Sequence, residues 1–351
     1  MLNFLTEAVE KNASDIFIIP GLPLSYKING KILPCGDDHK LLPSETEALI
    51  EALYELSNHR SMDKLHTHGD DDLSCSIQGV ARFRVSIMKQ RGTLAAVIRV
   101  VHFEVPRPED MSIPPEVIKI ANLKKGLVLV TGAAGSGKST TLACIIDEIN
   151  RTRNSHIITL EDPIEYLHRH NHSVVTQREI GLDTDSYVNG LVASLRQAPD
   201  VILLGEMRDF DTIKTAMTAA ETGHLVISTL HTIGAANSID RIIDVFPPDG
   251  QQQIRVQLAM VLQAVVSQQL VPSSDGSMVP AFEIMFLNDA IRTMVREGKI
   301  HQIDNVIATS MAEGMTGMNN SLLRLLREEK ITRDTCISYS SDPEQMQMRL
   351  M

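Results

Sequence analysis

The sequence predicts an α/β protein of two domains, the second of which is built around a parallel sheet. Residues 105–118 contain four prolines and divide the 351-residue chain into two regions. After this linker, four short apolar runs alternate with segments of helical spacing, which is typical of strands that helices bury on both faces. A hydrophobic content of 43% is enough for a core in each domain.

Residues 1–104 are predicted to form a mixed α+β domain. It begins with strands on either side of an expected turn at Asn29–Gly30. The segment 42–56 has helical spacing, and Ser44 is the expected N-cap of a capping box. Residues 80–101 alternate apolar and polar positions on both sides of a turn, which predicts a β-hairpin.

Residues 119–270 are predicted to form the parallel-sheet domain, and residues 271–351 a mostly helical region. The apolar runs expected to form the strands are LVLVTG, HIITLED, VILLGE and HLVISTLHT. From about residue 250 helical spacing prevails to the end of the chain. Ligands of open α/β sheets lie beyond the carboxyl ends of the strands, so the side chains that follow these runs are the first candidates for a functional site.

The sequence GAAGSGKS follows the first of these runs and fits the phosphate-binding pattern GxxxxGK[ST]. Its glycines let main-chain N–H groups curl around phosphate oxygens, and the N-terminus of the next helix favours negative charge. Lys138 is expected to reach the β and γ phosphates, and Ser139 to bind Mg²⁺. The nucleotide-binding candidates are Gly132, Ala133, Ala134, Gly135, Ser136, Gly137, Lys138, Ser139 and Thr140.

Two further runs end in carboxylates at the same predicted sheet edge. Glu206 follows VILLG, where it can order the Mg²⁺ shell or accept a proton from the attacking water. Glu161 ends another run, and Pro163 keeps the chain from entering a helix at once, which holds Glu161 at the rim. Glu206 is therefore a candidate catalytic base and metal ligand, and Glu161 a candidate second metal or water ligand. A solvated acid at a strand end is the simpler interpretation of each.

Two histidines bracket the last run. His224 and His231 are seven residues apart and a strand alternates faces, so a straight strand cannot aim both at one ion. A core strand with one satisfied histidine at each end is the simpler interpretation. If this strand joins the same sheet, His231 faces the nucleotide, where it can sense the γ-phosphate or polarise water. His224, at the opposite end, is expected to serve an interface or packing, and it is kept among the nucleotide-binding candidates.

Composition narrows the function classes. The net charge of −11 is weak evidence against a nucleic-acid partner, because such binding depends on Lys and Arg. The four cysteines are scattered, so neither a zinc site nor a disulfide framework is indicated. No apolar run has the length of a membrane span, and residues 1–10 lack the basic start of a signal peptide. A reduced cytoplasmic protein is the simplest expectation.

Together these motifs resemble those of the type IV pilus retraction ATPases, in the type II/IV secretion ATPase superfamily. GSGKSTTLA matches the Walker A region of that family, ITLEDPIEY its Asp box, PDVILLGEMRD its Walker B box and TGHLVISTLHT its His box. The resemblance implies a PAS-like α+β domain, then a RecA-like P-loop ATPase domain with a helical C-terminal region. It also implies hydrolysis of ATP with Mg²⁺. At Ala133–Ala134, where Pro-Thr is usual in the family, the sequence departs from it.

The family forms homohexamers in which arginines from a neighbour's N-terminal domain complete the ATP site. RFRVSIMKQRG resembles the arginine-bearing hairpin, so the resemblance implies that Arg82, Arg84 and Arg99 contribute; a basic strand face in solvent is the simpler interpretation. The implied partners are the inner-membrane pilus platform protein, contacted peripherally at the cytoplasmic face of the membrane, and indirectly the pilins. Nucleic acid is not expected.

AIRTMVREGK, residues 290–299, is similar to the AIRNLIRE signature of the family. Within it, Arg292 and Arg296 share a helix face, which indicates an acidic partner surface in the same subunit or in the platform protein. An amphipathic helix with an ordinary solvated face is the alternative interpretation. The leading interpretation is a motor for pilus retraction and twitching motility. The lack of a tetracysteine zinc site favours retraction over a pilus-assembly or DNA-uptake motor. A nucleic-acid translocase and a non-catalytic scaffold are two hypotheses of a different class.

Overall fold

The computed structural model describes residues 3–28, 30–36, 38–57, 59–77, 79–101 and 105–351. The chain divides into two units, Met1–Glu104 and Val105–Met351. Asn29, half of the predicted turn, lies outside the described residues, whereas Gly30 has a positive φ of 77°. Within the described ranges no helix is both long and apolar enough to cross a membrane.

The first unit combines an antiparallel sheet with helices around one apolar core. Its elements are α1 (Asn3–Glu10), β1 (Asp15–Ile18), β2 (Ser25–Ile28), β3 (Lys31–Pro34), α2 (Pro43–Leu56), α3 (Asp63–His68), β4 (Asp70–Ile77), β5 (Ala81–Gln90) and β6 (Thr93–Val101). The six strands lie in the order β3-β2-β1-β6-β5-β4, and each neighbouring pair is antiparallel. The predicted mixed architecture of this region is what the structure has.

The predicted hairpin at residues 80–101 is confirmed as β5 and β6. Gln90 pairs with Thr93, and the two residues between them, Arg91 and Gly92, have positive φ angles of 48° and 79°. A two-residue turn of this kind matches the twist of the strands it joins. Burial alternates along β5, so that its arginines share the face opposite to the apolar core.

The predicted N-cap of α2 is wrong. The helix begins at Pro43, one residue before Ser44, and the Glu45 carboxylate accepts the N–H of Leu42 at 2.7 Å. Proline suits the first helical position because its φ is already helical and no N–H is needed there. The helix itself, expected over 42–56, is present at Pro43–Leu56.

The second unit is a seven-stranded sheet with helices on both faces. Its elements are α4 (Pro115–Ile118), β7 (Gly126–Thr131), α5 (Lys138–Thr152), β8 (His156–Glu161), β9 (Val174–Glu179), α6 (Tyr187–Ser194), β10 (Val201–Leu204), α7 (Phe210–Glu221), β11 (Leu225–Leu230), α8 (Ala235–Asp244), α9 (Gln251–Val261), β12 (Leu262–Pro272), β13 (Met278–Phe286), α10 (Asp289–Glu297), α11 (Ile303–Thr309), α12 (Met318–Arg327), α13 (Arg333–Ser338) and α14 (Pro343–Arg349).

The sheet runs in the order β13-β12-β7-β11-β10-β8-β9. Its strands are parallel except for β13, which pairs antiparallel with β12. The four predicted apolar runs are β7, β8, β10 and β11. The prediction that the chain is mostly helical from residue 250 is wrong at residues 262–286, which form β12 and β13, and the boundary placed after residue 270 falls inside β12.

The proline-rich segment 105–118 belongs to the second unit and packs against its sheet. Ile113 and Val117 are buried in the core on one face of the sheet, together with residues of α5. The Cys144 thiol of that helix donates to the carbonyl oxygen of Pro106 at 3.3 Å. Most of the segment predicted as a linker is thus fixed against the sheet domain.

Candidate active site

The GxxxxGKS segment forms a loop between β7 and α5. Gly132 has a φ of 144°, and a Cβ there would lie 2.2 Å from the carbonyl oxygen of Gln268 on β12. Gly137 has a φ of 87°, and its Cβ would lie 2.8 Å from Nε2 of the same glutamine. These two glycines are therefore needed both for the backbone conformation and for the close approach of β12.

Lys138 is a buried cation at the start of α5. Its Nζ donates to the carbonyl oxygens of Gly132 and Ala133, each at 2.8 Å. Burial lowers its pKa, which the nearby charges of Glu206 and Glu165 partly counter. No carboxylate in the described part of the chain forms an ion pair with it. A buried ammonium without a direct counterion is suited to bind an anion, and phosphate is the anion that this loop shape fits.

A second unsatisfied group in the loop supports the same conclusion. The Ser136 hydroxyl is buried, and within the described residues it has no hydrogen-bond partner. Ser139, in the first turn of α5, lines the adjoining cavity of 270 Å³. The hydroxyl of Thr140 lies 2.9 Å from the Tyr166 hydroxyl.

Glu206 and His231 meet at the sheet edge. β10 and β11 are parallel neighbours, so the residues that follow them lie side by side. Glu206 Oε2 lies 3.2 Å from His231 Nε2, and Oε1 accepts from the Arg208 guanidinium at 2.6 Å. The carboxylate of Glu206 is mostly buried, whereas the side chains of Arg208 and His231 are 72% and 54% exposed. The site thus has a buried acid with two solvent-exposed basic partners.

Glu161 lines the same cavity from the end of β8, the neighbour of β10. Burial raises the pKa of its carboxyl to about 7, although hydrogen bonds from the Thr159 hydroxyl at 2.6 Å and the Gln177 amide at 3.2 Å oppose this. A carboxyl that titrates near neutral pH can take up and release a proton at little cost. The three predicted strand-end residues therefore converge on one cavity.

The remaining predicted residues lie elsewhere. His224 directly precedes β11, at the end opposite to His231, and its Nδ1 is 2.9 Å from the carbonyl oxygen of Ala219, near the end of α7. The structure does not bring it to the phosphate loop, which agrees with the expected packing role. Arg82, Arg84 and Arg99 belong to the first unit, on β5 and β6.

Two residues near the phosphate loop were not found by sequence reasoning. Gln268 supports the phosphate loop from β12, and its Oε1 accepts from the Thr141 hydroxyl at 2.7 Å. Tyr187 lines the cavity beside Gly205, where a Cβ would lie 2.7 Å from the Tyr187 hydroxyl. Neither residue follows an apolar run or belongs to a motif. The one signal in the sequence is Gly205, immediately before Glu206, because a glycine can mark a position where another side chain comes close to the backbone.

A family model for "Type II/IV secretion system protein" matches residues 1–329. The chain belongs to this family.

Two relatives from Pseudomonas aeruginosa in the type II/IV secretion family span nearly the whole chain. One, named type IV pilus retractation ATPase PilT, is 38% identical over 340 residues, which cover 97% of this chain and 98% of the relative. The other, named type IV pilus ATPase PilU, is 37% identical over 343 residues, which cover 97% and 89%. A crystal structure of the pilus retraction motor PilT with bound ADP matches 99% of both chains at 42% identity, with a TM-score of 0.91.

These findings confirm the predicted resemblance to the type IV pilus retraction ATPases. They also confirm an α/β fold with an N-terminal domain and a RecA-like ATPase domain, and the enzyme class of P-loop ATPase.

Proposed function

We propose that this chain is a homohexameric motor that hydrolyses ATP to retract a type IV pilus and so drives twitching motility. One observation carries the proposal: Glu206, Glu161 and His231 converge on the phosphate loop in a chain that is similar over nearly its whole length to a named retraction ATPase. The motor acts at the cytoplasmic face of the inner membrane. There it contacts the pilus platform protein directly and the pilins only through that protein.

ATP binds with its phosphates in the loop 132–139. Lys138 leaves its two carbonyl acceptors and pairs with the β and γ phosphates, which supply the missing counterion. The buried Ser136 hydroxyl gains a phosphate oxygen as partner. Both changes satisfy groups that are poorly satisfied in the free protein, which supports binding at this loop.

Ser139 would bind Mg²⁺ directly, and Glu206 would order the shell of the ion through a bound water. The described residues contain no cluster of three or more His, Cys, Asp or Glu side chains suited to a metal. Mg²⁺ in such sites needs none, because it takes one or two protein oxygens and completes its shell with phosphate and water. The oxygens of Ser139 and Glu206 fit this requirement. When bound, the ion neutralises charge on the phosphate oxygens.

Glu206 accepts the proton of the attacking water. Its ion pair with Arg208 is solvent-exposed on the arginine side, so Arg208 can leave for water at little cost. His231, on the other carboxylate oxygen, orients Glu206 and can turn to the γ-phosphate. Glu161 orients the water or the Mg²⁺ shell, and its pKa of about 7 lets it share the proton.

Arginines from a neighbouring subunit complete the site. Arg84 and Arg99 pair directly across β5 and β6, and Arg82 lies on the same face. Like charges opposite each other destabilise a sheet. One anion, the Asp15 carboxylate, already lies 3.1 Å from Arg99. A phosphate group is a suitable further anion for this basic face.

Pilus counts in a deletion strain test the proposed direction of the motor. Loss of a retraction motor should leave excess pili and abolish twitching. Expression of the Lys138→Ala protein in the deletion strain should fail to restore twitching. A strain with no pili would identify an assembly motor instead. ATPase activity of the purified protein that DNA stimulates many-fold would identify a nucleic-acid translocase.

A further inference from the structure

One buried carboxylate on β13 holds the N-termini of two helices. Glu283 Oε1 accepts the N–H of Ala235, the first residue of α8, at 2.7 Å. Its Oε2 accepts the N–H of Met318, the first residue of α12, at 3.4 Å. The Glu283 residue is only 9% exposed. A single side chain therefore fixes the beginnings of two helices, each 10 residues long.

The residue opposite Glu283 strengthens the attachment of α8. Ser267 on β12 pairs directly with Glu283, and its hydroxyl accepts the N–H of Gly234 at 2.9 Å. Two consecutive N–H groups, those of Gly234 and Ala235, are thus held by one cross-strand pair. The next residue on β12 is Gln268, which supports the phosphate loop. The same short stretch of β12 therefore contacts the loop before α8 and, through Thr141, the helix that follows the phosphate loop.

The charge of Glu283 suits this position. Burial and the nearby charge of Asp304 raise the pKa of its carboxyl, and the N–H groups of Ala235 and Met318 act in the opposite direction. The N-terminal ends of α8 and α12 both favour a negative charge, and hydrogen bonds to a carboxylate are stronger than those to a neutral acceptor. Among the described residues, Glu283 is the side chain that bonds to both helix N-termini.

We infer that Glu283 is a positioning residue that couples the His231 loop to the C-terminal helical region. α8 begins four residues after His231, so fixing its first turn also fixes the loop that carries His231 to the nucleotide. The same carboxylate holds α12, which packs on β13 in a separate apolar cluster. A displacement of the His231 loop is thereby transmitted to α12. The inference rests on the proposed function and adds to it a route out of the nucleotide site.

The first test is Glu283→Gln. The amide keeps the shape but can accept from only one helix, while its NH₂ group faces the other N–H. We expect kcat to fall about tenfold or more with the KM for ATP within about twofold, because the loop carrying His231 is misplaced while the phosphate loop keeps its contacts. Asp304→Asn is the matched control, since Asp304 and Glu283 line a second cavity near the starts of α8 and α12 and Asp304 bonds to neither helix N-terminus. The charge of Asp304 raises the pKa of the Glu283 carboxyl, so its removal favours the carboxylate that holds both helices. It should retain the wild-type kcat.

A second measurement does not depend on activity. Amide hydrogen exchange of the nucleotide-free protein should be about tenfold faster in Glu283→Gln at the first turns of both α8 and α12, and unchanged in β7. If the wild-type protein showed no ATPase activity, the proposed function would be refuted, but the exchange measurement would still test the coupling. A wild-type kcat in Glu283→Gln, or faster exchange at one helix only, would overturn the coupling.

Ser267→Ala keeps the inference testable if Glu283→Gln fails to fold. It removes one neutral acceptor from Gly234 and leaves the carboxylate in place. We expect a several-fold fall in kcat, faster exchange at Gly234 and unchanged exchange at the start of α12. Wild-type values for both the kcat and the exchange of this variant would show that the first turn of α8 does not position His231.

Discussion

Glu206 is the residue whose surroundings most directly determine the chemistry of the site. Its two oxygens contact different basic side chains, one that is mostly solvated and one that follows the neighbouring strand. The sequence could place Glu206 and His231 together because both follow buried strands of one parallel sheet. It could not show Arg208 folding back onto Glu206, because that contact depends on the path of the loop between β10 and α7.

Glu206→Gln should abolish turnover and retain or tighten ATP binding. The amide keeps the shape of the side chain but loses the basicity and the negative charge. Loss of a general base costs about 10²–10⁴ in rate. Steady-state hydrolysis and equilibrium binding of a fluorescent ATP analogue measure the two effects. A near-normal kcat in this variant would indicate that Glu161, and not Glu206, is the base.

Glu161→Gln should change the pH dependence of stability. The folded-state pKa of Glu161 is about 7, above the ordinary value of 4.5, so folding opposes its ionisation. The wild-type free energy of unfolding should therefore fall, relative to the variant, as pH rises from 4.5 to 7, and the difference should stay constant at higher pH. Its size is on the order of 3 kcal/mol. Urea unfolding of the nucleotide-free proteins below and above this pH window measures it, and a difference that does not change with pH would contradict the prediction.

Among the elements, the strands at the centre of the second unit are the ones the sequence shows best. β7, β8, β10 and β11 are nearly continuous apolar runs because helices bury both their faces. β12 was missed because Ser267, Gln268 and Gln269 interrupt its apolar pattern. The Ser267 hydroxyl accepts the N–H of Gly234 in the loop before α8, and the Gln268 amide oxygen accepts the Thr141 hydroxyl at the start of α5, so both positions need polar side chains. The polar side chains that these contacts require therefore hide the apolar pattern of β12 in the sequence.

Arg292 has a role within its own subunit that its spacing from Arg296 did not reveal. Its guanidinium donates to the carbonyl oxygen of Ala259 at 2.6 Å, near the C-terminus of α9, where a cation is favoured. The hypothesis that both arginines face a partner surface is thereby narrowed to Arg296, which is exposed.

Arg292→Ala should lower the free energy of unfolding by about 1.5–3 kcal/mol, the range for a hydrogen bond that involves a charged group. Arg296→Ala, the matched control on the same helix, should stay within about 0.5 kcal/mol of wild type. Chemical denaturation measures both. Arg296→Glu should in addition slow pilus retraction in cells with the basal ATPase unchanged. Equal stability losses in the two alanine variants would refute this division of roles.

For the whole molecule, the division of the chain into two units separates the groups of the proposed site. The described residues that line the nucleotide cavity belong to Val105–Met351, whereas Arg82, Arg84 and Arg99 belong to Met1–Glu104. The resemblance to a known family implied this arrangement, and neither spacing nor composition could have done so. In a homohexamer each site would draw on two chains.

Arg82→Ala and Arg99→Ala should cut hydrolysis without unfolding the subunit. Loss of an arginine supplied in trans costs about 10³–10⁵ in rate in other NTPases. Mixing either variant with Lys138→Ala protein should restore part of the activity, because some interfaces then combine an intact phosphate loop with intact arginines. ATPase assays across mixing ratios measure the rescue. Mixed rings that form and remain inactive would count against completion in trans.

The order of strands in the second sheet affects how the protein is made. β7 is the first strand of that sheet to leave the ribosome, yet its neighbours in the sheet are β11 and β12. After the phosphate loop, about 130 further residues must be synthesised before Gln268 can reach it. At about 5–20 residues per second this takes roughly 10 s. During that time the apolar faces of β7 are exposed and can bind non-native segments of the chain or chaperones. A nascent chain stalled before residue 262 would carry the complete GxxxxGKS motif without β12, whose Gln268 packs against Gly132 and Gly137.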